Sequence, residues 1–190
     1  SILEVFLENG SEIFACYRNM TDEFKNKINT LEKRNNGIIH LINLDLNNDD
    51  SIKNAFDEIS KKTNNIDNLI NCAGILENSI FQMTSKKNMK NTFDINFINT
   101  FFFTQLILKK MVKNKDGNII NISSTSAIEA NLGRFSYSSS KAALATGSKI
   151  LAKELGRYNI RVNVVSPGLI DTKMLSDNTS EENINKTLKR

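Results

Sequence analysis

"GNIINIS" (Gly117–Ser123) and "IRVNVVS" (Ile160–Ser166) flank a segment, about 134–156, whose apolar residues recur at helical spacing. Both flanking runs are short, continuous and apolar, as strands covered on both faces should be. Two such strands joined by a helix are a βαβ unit, and its strands lie parallel. The alternation extends back along the chain. "EIFACY" (12–17), "GIIHLINL" (37–44) and "IDNLIN" (66–71) read as strands, and 21–34, 50–63 and 85–113 read as helices, the first with Thr21 as its N-cap. Residues 1–9 place Ile2, Val5 and Phe6 at helical spacing before a stop at Gly10. The predicted fold class is therefore α/β: a doubly wound parallel sheet between helical layers, α/β/α, in one domain over 1–190.

The bulk properties narrow the function classes. At 190 residues and 39% hydrophobic, the chain can bury one sizeable core. No stretch reaches the roughly 18 uncharged apolar residues of a membrane helix, and "SILEVFL" lacks a signal peptide's basic lead-in, so the expected compartment is the cytoplasm. The +4 charge resides on scattered lysines not interleaved with aromatics, which speaks against a nucleic-acid partner. Cys16 and Cys72 stand in apolar runs without metal spacing and are expected as buried, reduced thiols. One histidine, His40, supports neither a metal centre nor a Ser-His triad. The polar last 20 residues are expected to form a mobile or helical flap.

In open parallel sheets, ligands sit beyond the carboxyl ends of the strands. Here those ends read "CYRN", "LDL", "NCAGI", "SSTSA" and "SPGLIDT". The eight glycines never form GxGxxG, so a phosphate-cradling turn is missing. On the helix after "SSTSA", one stripe runs Tyr137, Lys141, Leu144, Ser148, Leu151, Leu155, which puts a lysine at the head of a buried face. A second stripe, Met89, Phe93, Asn96, Thr100, Phe103, Ile107, puts an amide on the apolar face of the preceding helix. A free phenol titrates near 10, too high for proton exchange around neutrality, and a cation one helical turn away lowers it. Tyr137 with Lys141, Ser124 donating to a substrate oxygen, and Asn96 holding a proton-supplying water make a candidate acid/base site. Hydride transfer at a carbonyl suits such a site, since it needs no nucleophile.

The ordered signatures "NCAG", "DINFINTFFFTQ", "NISS", "YSSSK" and "IRVNVVSPGLIDTKM" cover nearly the whole chain and resemble the short-chain dehydrogenase/reductase family, with its Rossmann-like fold. The resemblance implies Tyr137 as general acid/base, Lys141 as its electrostatic partner and ribose ligand, Ser124 as oxygen donor, and Asn96 as the proton-relay anchor. It further implies a cofactor site from Asn71, Ala73 and Gly74, from Asp45 and Leu46 on the adenine side, and from Pro167, Gly168, Ile170 and Thr172 over the nicotinamide. Cys72 replaces the usual second asparagine. NAD-preferring members carry an acidic residue where Tyr17 stands, and Arg18 follows it, so NADP(H) is favoured over NAD(H).

Members of the family also open with a strand and TGxxxGxG and close with a further strand. The chain therefore resembles a sheet incomplete at both ends, and these 190 residues alone are expected to be unstable and inactive. Within the family it looks most like 3-oxoacyl-[acyl-carrier-protein] reductases, NADPH-dependent enzymes of fatty acid synthesis acting on an acyl-carrier-bound carbonyl. The resemblance implies that Lys115 falls near where those reductases present a basic residue to the carrier, and Lys109, Lys110 and Lys113 add to the local charge. A sugar or small-alcohol dehydrogenase, and a non-catalytic cofactor-binding relative, remain alternatives. A homodimer or homotetramer through the helices near 85–113 and 134–156 is also implied.

Overall fold

The computed structural model describes residues 2–34 and 37–170. Two compact units divide between Asn64 and Asn65. The first contains α1 (Ile2–Glu8), β1 (Ile13–Tyr17), α2 (Asp22–Arg34), β2 (Ile39–Asn43) and α3 (Asp49–Lys62). The second contains β3 (Asn68–Asn71), α4 (Lys86–Phe93), α5 (Asn99–Asn114), β4 (Gly117–Ile122), α6 (Ser126–Glu129), α7 (Phe135–Leu155) and β5 (Ile160–Val165). All pairings between these strands are parallel: β1 with β2, and β3 with β4 with β5. The chain is thus α/β with parallel sheets crossed by helices, as the alternating pattern predicts. Among the described residues, β1 and β3 each pair along a single edge.

Local chemistry explains the helix starts. The Thr21 hydroxyl accepts from the Phe24 N–H (3.2 Å), as its N-cap reading predicts. Asn48 caps α3 through Asp50 and Ser51 N–H groups, while Asp49 and Asp50 at its start and Lys61 and Lys62 at its end complement the helix dipole. In the first unit, Leu7, Ile28 and Leu31 pack on Ala15 and Ile39 of the strands to form an apolar core. In the second, α5 and α7 cover one face of the sheet. A Cβ on Gly117 would fall 2.7 Å from Met111 Sδ, so glycine lets α5 approach β4 closely.

Three expectations need correction. Burial in β4 alternates, with Gly117, Ile119 and Asn121 buried and the residues between them half-buried, and β5 exposes Arg161, Asn163 and Val165. Among the described residues, α5 and α7 both meet the face of this sheet that carries Asn71 and Asn121. Cys16 and Cys72 are exposed rather than buried, Cys16 lying between inward-facing neighbours of β1 and Cys72 just beyond β3. The helix expected over 85–113 is continuous in path but opens into a π-helical turn at Asp94–Ile98, where Thr100 Oγ1 donates to the Ile95 carbonyl (2.8 Å). Such turns are frequent at functional positions, and this one carries Asn96. The expected flap, 171–190, lies outside the described residues.

Candidate active site

The carboxyl ends of β3, β4 and β5 meet the first turn of α7 around a cavity of about 360 Å³. Its walls include Gly74 and Leu76 after β3, Ser123 and Ser124 after β4, Arg134 just before α7, Tyr137 and Lys141 from α7, and Pro167 to Ile170 after β5. The structure therefore gathers Ser124, Tyr137 and Lys141 at one opening, although they come from two elements.

Lys141 is 4% exposed, and the buried stripe it begins continues through Leu144, Ser148 and Leu155. Its Nζ donates to the Ile122 carbonyl (2.8 Å), and its own carbonyl accepts from Ser123 Oγ (2.9 Å). Consecutive residues of β4 and its exit thus hold Lys141 at both ends. Burial lowers its pKa from 10.5 to about 8, opposed in part by the Cys72 thiol, so it remains mainly a cation at neutrality. Packing around Cys72 raises that thiol's pKa despite the residue's exposure. Ser124 Oγ accepts from the Ser126 N–H (3.2 Å), which leaves the hydroxyl proton to donate elsewhere.

Asn96 is 1% exposed and acts as a clamp. Its Oδ1 accepts from Ile75 N–H (2.8 Å), and its Nδ2 donates to Ile75 O (2.9 Å) and Ser140 Oγ (3.1 Å). Ser140 donates in turn to the Tyr137 carbonyl (2.8 Å), linking the π-helical turn to the start of α7. Gly74 is confined by the same groups: a Cβ there would sit 3.2 Å from both Asn96 Oδ1 and Lys141 Nζ. Deeper in the sheet, Asn71 Nδ2 donates to Thr104 Oγ1 (2.9 Å) and Asn121 Oδ1 (2.7 Å), and Asn121 Nδ2 donates to Ser148 Oγ (2.7 Å). Asn71 therefore steadies the sheet behind the cavity.

The other predicted positions divide by unit. Ala73 is exposed beyond β3, with Gly74 beside it, and Pro167, Gly168 and Ile170 line the cavity. Arg18, Asp45 and Leu46 belong to the first unit. Arg18 is exposed just past β1, the Asp45 carboxylate accepts from Asn47 N–H (2.9 Å), and Leu46 is buried. Thr172 lies outside the described residues. Sequence reasoning missed Ser123, Ser140, Asn121 and Arg134. Ser140 had a detectable signal, being adjacent to Lys141 and one turn from Tyr137; Asn121 had none, because an amide inside a strand reads as a surface residue. Among the described residues, no three His, Cys, Asp or Glu side chains are placed to hold a metal. None of their helices is long and apolar enough to cross a membrane.

A doubly wound parallel fold with a serine beyond a strand end and a tyrosine and lysine on the helix that follows defines a class of dinucleotide-dependent oxidoreductase. A family model described as short chain dehydrogenase matches residues 1–183, and the chain belongs to that family. It is 41% identical over 102 residues to a 3-oxoacyl-[acyl-carrier-protein] reductase of Aquifex aeolicus, covering 54% of this chain and 41% of that protein. It is 38% identical over 116 residues to carbonyl reductase family member 4 of Xenopus laevis, covering 61% and 49%. An acetoacetyl-CoA reductase of an Acinetobacter strain is 38% identical, with 55% and 42% covered. The chain thus spans less than half the length of these curated relatives. A short-chain dehydrogenase structure from Streptomyces avermitilis superposes with a TM-score of 0.82 at 25% identity, over 91% of this chain and 62% of that one.

Proposed function

We propose that this chain is the catalytic part of an NADPH-dependent carbonyl reductase, acting on a 3-oxoacyl chain carried as a thioester by an acyl carrier protein. The observation that carries the reading is the convergence of Ser124, Tyr137 and Lys141 on one cavity. A nicotinamide dinucleotide fits the residues present: Gly74 and Gly168 leave backbone bare at the cavity wall, and Lys141 offers a cation for a ribose. When bound, such a cofactor supplies the hydride. Ser124 donates its free hydroxyl proton to the substrate carbonyl oxygen and stabilises the charge that develops there. Tyr137 delivers the proton that completes the alcohol, and the Lys141 cation stabilises the negative charge left on its oxygen. Asn96 anchors the proton relay, fixing the backbone of Ile75 beside Lys141.

Arg18, a guanidinium exposed at the end of β1, supports NADP(H) over NAD(H). The two compact units together make one Rossmann-type domain in this reading. Lys113 in the last turn of α5 and Lys115 after it present positive charge to an acidic carrier, and α5 and α7 supply the contacts of a homodimer or homotetramer. A cytoplasmic site of action belongs to the same reading. Full-length protein should oxidise NADPH with acetoacetyl thioesters, and Arg18→Asp should shift preference toward NADH by about tenfold or more. Turnover confined to sugars or simple alcohols would replace the thioester reading.

A further inference from the structure

The turn of α7 that carries Tyr137 is held from outside its own helix. Among the described residues no side chain caps the start of α7, so its first N–H groups lack the fastening that a serine or aspartate would give. Tyr137 stands in that uncapped first turn. Ser140, which is fully buried, supplies a fastening from another element. Its Oγ donates to the Tyr137 carbonyl (2.8 Å) and accepts from Asn96 Nδ2 (3.1 Å), while Asn96 Oδ1 accepts from the Ile75 N–H (2.8 Å). Every donor in this chain points the same way, from the backbone after β3, through the π-helical turn, to the tyrosine. Successive hydrogen bonds of one direction polarise one another, so a chain shut off from water is stronger than its separate bonds.

Lys141 is secured separately. Its Nζ is held by the Ile122 carbonyl and its backbone carbonyl by Ser123 Oγ, so neither bond passes through Ser140. The phenol and the cation therefore depend on different anchors, Tyr137 on the π-helical turn and Lys141 on β4 and its exit. Replacing Ser140 by alanine removes one oxygen and opens little space, but it breaks both hydroxyl bonds at once. It also leaves one buried amide proton of Asn96 without an acceptor. Rates fall steeply when a reacting group is misplaced: a shift of about 1 Å costs up to about 10²-fold. We infer that Ser140 is a positioning residue for the proton transfer. It ties the first turn of α7 to the π-helical turn through Asn96, which fixes where the Tyr137 phenol stands without moving the Lys141 cation.

The positioning role rests on the carbonyl-reductase reading, and a double-mutant cycle separates the two. Full-length protein, Ser140→Ala, Tyr137→Phe and the double variant are compared by the single-turnover rate of NADPH oxidation with an acetoacetyl thioester, and the NADPH dissociation constant is measured for each. A residue that acts only by placing the phenol loses its effect once the phenol is gone. Ser140→Ala should therefore slow the unmodified protein about 10- to 100-fold and the Tyr137→Phe variant by less than about threefold, with NADPH affinity within about threefold throughout. Ser140→Cys, a weaker donor and acceptor of similar size, should fall between serine and alanine. An equal slowing in both backgrounds, a slowing below about threefold in the first, or a loss taken up in NADPH binding overturns the positioning role and leaves the reductase reading standing. An unmodified protein that does not oxidise NADPH with the thioester overturns both. Should Ser140→Ala not fold, the same cycle is run with Ser140→Cys.

Discussion

The two units bury different things. The core of the first is aliphatic, built from Leu7, Ala15, Ile28, Leu31 and Ile39. The second buries Thr92, Asn96, Thr100, Thr104, Asn121, Ser140, Lys141 and Ser148 beside its aliphatic residues. Apolar packing tolerates changes of shape at similar volume, whereas a buried hydrogen-bond network fixes positions and is costly to leave half satisfied. The unit that carries Ser124, Tyr137 and Lys141 is thus the one whose interior fixes orientation, and the polar groups behind the cavity set where the side chains proposed for the proton transfer stand.

The largest effect should come from cutting that network. Asn121→Leu removes the bonds to Asn71 and Ser148 and should destabilise the protein by about 2–4 kcal/mol in urea unfolding. Leu31→Met in the other unit should cost less than about 1.5 kcal/mol. Equal costs at the two sites would erase the contrast between the units.

Lys141 sharpens the contrast through pH. With its pKa at about 8 in the fold against an ordinary 10.5, the folded protein binds fewer protons than the unfolded chain between those values, so stability rises with pH across that window. The burden of the buried cation is complete below about pH 8 and is relieved as pH climbs toward 10.5. Lys141→Met should therefore stabilise the cofactor-free protein by up to about 3 kcal/mol at pH 7. That gain should fall by more than half at pH 9.5, as read by paired unfolding curves. A gain independent of pH would mean that packing, and not charge burial, is responsible.

Smaller effects follow from geometry. Gly74→Ala places a Cβ 3.2 Å from both Asn96 Oδ1 and Lys141 Nζ and should lower kcat about tenfold by displacing the lysine, with little change in melting temperature. At the small end, Thr21→Ala removes a cap in the first unit and should cost about 1 kcal/mol without altering activity.

Much of this arrangement was legible in the residues. Parallel strands followed from the apolar runs at 117–123 and 160–166, and the lysine at the head of the α7 stripe is buried as its spacing implies. Other features depend on what lies across the sheet. The π-helical turn at Asp94–Ile98 leaves the helical spacing of apolar residues almost intact, so periodicity reads straight through it. The role of Ser123 is invisible along the chain because its partner lies 18 residues away, and Ser140, whose place beside Lys141 gives a signal, hides its bond to Asn96 44 residues back. The alternating burial of β4 and β5 was hidden for a related reason: β-branched residues in a strand do not reveal how deeply each of its faces is buried.

The central claim is that Tyr137 transfers the proton within a site held by Lys141 and Ser124. Its most direct test is kcat/KM for NADPH-dependent reduction of an acetoacetyl thioester by full-length protein and its Tyr137→Phe variant, with the NADPH dissociation constant measured for each. The account predicts a loss of about 10²- to 10⁴-fold in kcat/KM with NADPH affinity within about threefold. A phenylalanine variant keeping more than about a tenth of the activity would contradict it.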